Sequence, residues 1–215
     1  MSKVKACLFD LDGVIVDTAK YHYLAWRRLA LELGFDFTLA QNESLKGVSR
    51  MASLEILLDI GGLTLGDAEK ISLAEKKNNW YREFIATMTP DEILPGSKEL
   101  LEKLRINGFK IALGSASKNS MTILNNVGLV NHFDAIIDGT KTSNAKPDPE
   151  VFLLGAKELG VLPSECVVFE DAKAGIQAAI NAGMYSIGIG DPSVLNKANI
   201  VISSLAEMTL EKLNL

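Results

Sequence analysis

Phe9-Asp10-Leu11-Asp12-Gly13 closes an apolar run over residues 4–9 whose length and composition predict a short buried strand. Gly13 breaks the run, so Asp10 and Asp12 fall at the carboxyl end of that strand. In an open parallel sheet, that edge is where ligands bind. Two residues apart, the carboxylates leave the chain on the same side while Leu11 points the other way. Ionised carboxylates held this close repel, and they call for a bound cation or a shared proton. A magnesium ion with a phosphorylated substrate would supply the cation and a reason for it. Alone, the stretch would read as a turn, because Asp and Gly form turns readily. The rest of the chain decides against that.

Downstream of Asp17-Thr18 the pattern becomes helical. His22, Trp26, Leu29 and Leu33 share a face, and Gly34 is a stop. Residues 19–87 read as helix after helix, broken at Leu45-Lys46-Gly47-Val48-Ser49-Arg50, a glycine-containing turn with two cations. A longer polar helix over residues 67–87 carries Lys76, Lys77 and Asn78. From Pro95-Gly96 onward strands alternate with helices. Strands are expected over residues 109–113, 134–138, 166–169 and 186–189, with a short pair of elements at the end. Ser97 is expected to cap the helix that Gly108 ends, and Asp148 the one that Gly160 ends. This rhythm predicts an α/β fold with a doubly wound parallel sheet. The helical block reads as an insertion, giving a core of residues 1–17 and 88–215 and a second domain of residues 18–87.

The 215 residues are 47% hydrophobic and 23% charged, ordinary for a protein that buries a real core. The net charge of −5 and the lack of Lys/Arg runs argue against a nucleic-acid partner. No apolar stretch approaches the ~20 residues of a membrane span, and the early aspartates argue against a signal peptide. Cys7 and Cys166 lie in apolar runs, as buried thiols of a reducing compartment do. A cytoplasmic monomer is the expectation.

Parallel strands point one way, so their ends converge on one edge. The first carries Asp10 and Asp12, the second Ser115, the loop after the third Lys146, and the fourth Glu170-Asp171. Three or four carboxylates can hold magnesium, while a hydroxyl and an ammonium hold the phosphate oxygens left uncovered. A carboxylate set against a metal-bound phosphate can attack phosphorus and form an aspartyl phosphate. Asp171 alone would be a helix cap, but beside Glu170 at a strand end it reads as a metal ligand. His22 and the tryptophans read as core residues, and Lys77 reads equally as a solvated charge or a site residue.

These four segments, in this order and on these elements, resemble the four motifs of the haloacid dehalogenase superfamily. The likeness spans the chain, with a Rossmann-like core and residues 18–87 at the place of the superfamily's cap. Asp17-Thr18, His22, Trp26, residues 45–50, Lys77-Asn78 and residues 115–119 are similar to its β-phosphoglucomutase branch. The resemblance implies Asp10 as nucleophile and Asp12 as general acid and base. It implies Mg2+ held by the Asp10 side chain, the Asp12 backbone carbonyl, Glu170 and Asp171. Ser115 and Lys146 would bind the transferring phosphate. Arg50, Ser117, Lys118 and Asn119 would bind the other phosphate or the sugar hydroxyls. Lys46, Gly47, Val48, Ser49, Lys77 and Ala116 complete the expected substrate contacts. The implied reaction moves phosphate between the C1 and C6 oxygens of β-glucose through a bisphosphate. A sugar-phosphate phosphatase on the same scaffold is the alternative, and a non-catalytic sugar-phosphate sensor a more distant one. The loop over residues 139–145 matches no motif.

Overall fold

The computed structural model describes residues 4–45 and 48–213. Ala6–Phe9 forms β1, and all four residues are buried. An apolar run without alternation suits a strand covered on both faces, as in a parallel sheet. Lys110–Gly114 (β2), Ala135–Ile137 (β3), Cys166–Glu170 (β4), Tyr185–Ile189 (β5) and Ile200–Ile202 (β6) complete the sheet, in the order β3-β2-β1-β4-β5-β6. Every pairing is parallel. The α/β doubly wound sheet expected from the sequence is therefore present.

Successive residues of β1 serve opposite layers. Ala6 and Leu8 cluster with Val151 and Phe152 of α7 (Glu150–Leu159) and Ala178 and Ala179 of α8 (Lys173–Asn181). Cys7 and Phe9 cluster with Leu100, Leu101 and Leu104 of α5 (Ser97–Ile106) and Ile123 of α6 (Ser120–Val127). Phe9 stacks on Phe169 of β4, with ring centroids 4.5 Å apart and planes 4° from parallel. Burying one such ring contributes roughly 1.5–3 kcal/mol, and the stack sets the ends of β1 and β4 side by side. From β1 the chain moves outward through β2 and β3, whereas β4, β5 and β6 run to the other side. The crevice between β1 and β4 is thus the topological switch point, where open α/β sheets bind ligands.

Between β1 and β2 lie α1 (Ala19–Glu32), α2 (Leu39–Asn42), α3 (Arg50–Gly61) and α4 (Asp67–Ile85), with no strand among the described residues of that segment. Trp26 and Leu29 of α1 are buried and α1 packs on α4. The two crossings between helices and sheet are laced together. Val16 bridges Ile93, the Asp17 N–H donates to the Glu92 carbonyl at 3.1 Å, and the Leu94 N–H to that of Ile15 at 2.9 Å.

Two cap expectations are corrected. Gly96, not Ser97, is the N-cap of α5, and the Ser97 hydroxyl donates to the Val14 carbonyl at 3.1 Å. The buried hydroxyl is used to tie the helix to the chain beyond Gly13. Pro149, not Asp148, occupies the N-cap of α7, although Asp148 Oδ1 accepts from the Glu150 N–H at 2.9 Å. The strands differ from expectation by a residue or two at their ends, and the final pair of elements includes β6. No helix among the described residues is long and apolar enough to cross a membrane.

Candidate active site

Asp10 follows β1 directly, and its N–H donates to the Phe169 carbonyl at 3.0 Å. The sheet ladder thereby continues one residue past the end of β1 and fixes the aspartate's backbone. Its buried carboxylate lies 2.6 Å from the ammonium of Lys146. Lys146 also stands 3.5 Å from Glu170 Oε1. Burial alone would lower the lysine's affinity for its proton. The charges of Asp10 and Glu170 outweigh that and hold its pKa above the ordinary value.

Carboxylate oxygens of Asp10, Glu170 and Asp171 lie within 4.8 Å of one another. Burial, and then the nearby Asp10 and Asp171 charges, push Glu170 well above the ordinary carboxylate range against the pull of Lys146. Its Oε2 is buried with no hydrogen-bond partner among the described residues. Three hard oxygen donors, one of them unsatisfied, fit a hard divalent cation such as Mg2+. The local chain is shaped for this closeness. Gly13 has φ +81°, and a side chain there would collide with the Asp171 carboxylate. Gly175, in the first turn of α8, also makes room for the cluster, because a Cβ there would overlap the carboxylate of Glu170.

The Asp12 carboxylate is not one of the three. It accepts a hydrogen bond from the Thr18 hydroxyl, so Thr18 occupies the N-cap position of α1 without a side-chain cap bond. Burial, then the Asp10 charge, raise the Asp12 pKa to about 6, with Thr18, Lys146 and Lys77 opposing. That is a useful value for a group that gives and takes protons near neutral pH.

Ser115 follows β2 and is buried, its N–H donating to the Ile137 carbonyl at 2.9 Å and its Oγ accepting from the Ser117 N–H at 3.1 Å. Asn119 occupies the N-cap position of α6 without a side-chain cap bond, and its amide donates to Asn78 Oδ1 of α4 at 3.4 Å. Ala116 and Lys118 are exposed.

Lys77 is the residue the sequence left undecided, and it is buried. Its ammonium is 3.0 Å from His22 Nδ1 and lies over the rings of Trp26 and Tyr81 at 4.4 and 5.0 Å. His22, stacked on Tyr81, is kept neutral by burial and by the charges of Lys77 and Arg50. Burial first, and Arg50 second, bring the Lys77 pKa down to about 7, with Asp12 opposing. Arg50, half-buried at the start of α3, is thus near enough for its charge to act on both Lys77 and His22. Ser49 caps α3 through the Ala52 N–H at 3.3 Å, and Val48 is exposed. Lys46 and Gly47 lie outside the described residues.

The sequence did not reveal Thr18 as a partner of Asp12, nor Glu150, which binds the loop leading to Lys146. Both act through contacts that only the folded chain creates.

A family model described as haloacid dehalogenase-like hydrolase matches residues 4–183. The chain is 42% identical over 213 residues to a β-phosphoglucomutase of Bacillus subtilis, covering 98% of this chain and 94% of that one. A solved structure of a β-phosphoglucomutase from Clostridium difficile superposes with a TM-score of 0.91 at 47% identity, covering 97% of this chain and 95% of that one. A phosphorylated-carbohydrates phosphatase of Thermotoga maritima is 32% identical over 189 residues, or 86% of this chain and 84% of that one.

Proposed function

This chain belongs to the haloacid dehalogenase-like hydrolase family, and from that premise we propose that it interconverts β-D-glucose 1-phosphate and β-D-glucose 6-phosphate. The similarity to two β-phosphoglucomutases over nearly the whole chain supports the reading. The structural observation that supports it is a second group of cations: Lys146 pairs with Asp10 in the core, and Lys77 of the helical segment lies within range of both the Arg50 and the Asp12 charges. A phosphatase needs one phosphate subsite, whereas a mutase must also hold the phosphate that stays behind.

Asp10 is the nucleophile in this proposal. The C6 hydroxyl of glucose 1-phosphate attacks the aspartyl phosphate, freeing the Asp10 carboxylate and giving the 1,6-bisphosphate. With the bisphosphate turned round, an Asp10 carboxylate oxygen attacks the C1 phosphorus, the bond to the sugar oxygen breaks, and glucose 6-phosphate leaves with the aspartyl phosphate restored. Asp12 protonates the departing sugar oxygen and deprotonates the incoming hydroxyl. Ser115 and Lys146 orient the transferring phosphoryl group and neutralise its charge. Mg2+, bound by Asp10, Glu170, Asp171 and the Asp12 carbonyl, would supply further charge neutralisation. Arg50, with Lys77, Lys46 and the segment Gly47-Val48-Ser49, takes the distal phosphate. Ser117, Lys118, Asn119 and Ala116 take the sugar. Residues 18–87 then act as a cap over the core formed by 1–17 and 88–215. The buried free thiols of Cys7 and Cys166 support a reducing, cytoplasmic setting. We take the active unit to be the monomer.

The test supplies β-glucose 1-phosphate with Mg2+ and a trace of the 1,6-bisphosphate, following glucose 6-phosphate and free phosphate in parallel. Isomerisation far exceeding phosphate release is expected, with the phosphoryl group recovered on Asp10 by peptide mass analysis. Phosphate release as the main outcome would make the protein a phosphatase.

A further inference from the structure

Lys146 stands in the irregular connection between β3 and α7, 136 residues from the aspartate it meets. Its stem is flexible, so the ammonium is placed only as well as the backbone beneath it. Ser143, Asn144 and Ala145 just before it are exposed, and the last of them is held by the Asp148 N–H, which donates to the Ala145 carbonyl at 3.0 Å. Glu150, the first residue of α7, anchors the other two. Its Oε2 accepts hydrogen bonds from the N–H groups of Ser143 at 3.0 Å and Asn144 at 2.7 Å. On the other side, Asn181 at the end of α8 donates to the Pro147 carbonyl at 2.9 Å. The anchor is rigid because the next residues of α7, Val151 and Phe152, are buried against the sheet. Hydrogen bonds to an ionised acceptor are roughly twice as strong as neutral ones, so Glu150 is a stronger tie than the neutral bonds made by Asn181 and by the Asp148 N–H.

We propose that Glu150 is a positioning residue for Lys146, fixing the loop amides so that the ammonium meets Asp10 and the phosphoryl group it receives. The inference rests on the assignment of Lys146 as a phosphate-binding group. A merely stabilising contact would slow the enzyme independently of Lys146; a positioning contact acts only through it.

The experiment uses the full chain with Mg2+ and the variants E150A, E150Q, K146A and K146A/E150A. Single-turnover phosphorylation of Asp10 by acetyl phosphate is followed by intact mass. Affinity for inorganic phosphate and the thermal midpoint are measured on the same samples. E150A is expected to phosphorylate about 10²-fold more slowly, the scale of loss for a misplacement of about 1 Å, and to bind phosphate more weakly. E150Q, whose amide oxygen can accept from the same two N–H groups, should recover to within about threefold of the parent. In the K146A background, E150A should cost less than about twofold more. Multiplying losses in the double variant, or an E150A protein as fast as the parent, would overturn the inference alone. K146A phosphorylated at the parental rate would overturn the site assignment and the inference with it. Should E150A fail to fold, E150D replaces it in the same cycle, keeping the charge while shortening the reach.

Discussion

Asp12, partly buried, and Lys77, buried, titrate near neutrality for opposite reasons. Burial and the Asp10 charge raise the acid to about 6, while burial and Arg50 lower the base to about 7. Replacing Asp12 by Asn keeps the shape but removes the exchangeable proton, so turnover should fall by about 10²–10⁴-fold. Substrate affinity measured by calorimetry should change little. A parental rate would reduce Asp12 to a partner of Thr18. Lys77 also leaves a signature in stability. Its pKa is about 7 in the folded chain against an ordinary 10.5, so between those pH values the unfolded chain binds a proton that the folded chain lacks. Stability from this group therefore rises with pH across that window and is lowest below it. Lys77→Met should be more stable than the parent at about pH 7, and the gap should shrink toward about pH 10. Urea unfolding at the two pH values reads the gap directly; an unchanged gap would mean that Lys77 does not titrate there.

At the level of elements, α8 and β4 meet at Gly175 and Glu170 with no room for a methyl group. Helix propensity alone predicts that Gly175→Ala stabilises the protein by about 1 kcal/mol. The packing predicts instead that Glu170 is displaced, with Mg2+ affinity lowered about tenfold or more, the scale of effects on groups that orient metal ligands. Magnesium titration and the thermal midpoint of one preparation decide between the two; a more stable variant with parental affinity would refute the packing argument. This also shows which features the sequence could reveal. Strands β1, β2 and β4 were legible because each is an apolar run ending in polar residues, and parallel topology alone brings such ends together. Asp10, Ser115, Lys146 and Glu170-Asp171 followed from that. The Glu150 grip, the burial of Lys77 beneath Trp26 and Tyr81, and the Ser97 bond to Val14 depend on contacts between distant segments. No local pattern encodes them, so local capping rules placed Ser97 one residue off its actual role.

At the scale of the whole molecule, the core and the helical segment are joined by two chain crossings laced at Val16–Ile93. Glu92 reinforces the crossing by accepting from the Tyr21 hydroxyl at 2.6 Å and pairing with Lys20 at 2.5 Å. Arg50 lies on the helical side only. Arg50→Ala should lose most isomerisation, since a planar guanidinium matches two phosphate oxygens and nothing of that shape replaces it. Losing such a charge-assisted contact costs on the order of 1.5–3 kcal/mol. Acetyl phosphate, which carries no second phosphate, should still phosphorylate Asp10 at nearly the parental rate. Equal losses in both assays would place Arg50 in the fold or the core site. The arrangement of aromatic rings has a spectroscopic consequence. Both tryptophans of the chain, Trp26 and Trp80, stand in α1 and α4, so its indole emission originates wholly on the helical side. Lys77 hangs over Trp26 at 4.4 Å and Arg28 over Trp80 at 4.2 Å, close enough for each cation to colour its neighbour's light. Intrinsic fluorescence is thus a label already installed on one half of the protein: its emission maximum should shift as Lys77 loses its proton, and Lys77→Met should abolish that shift.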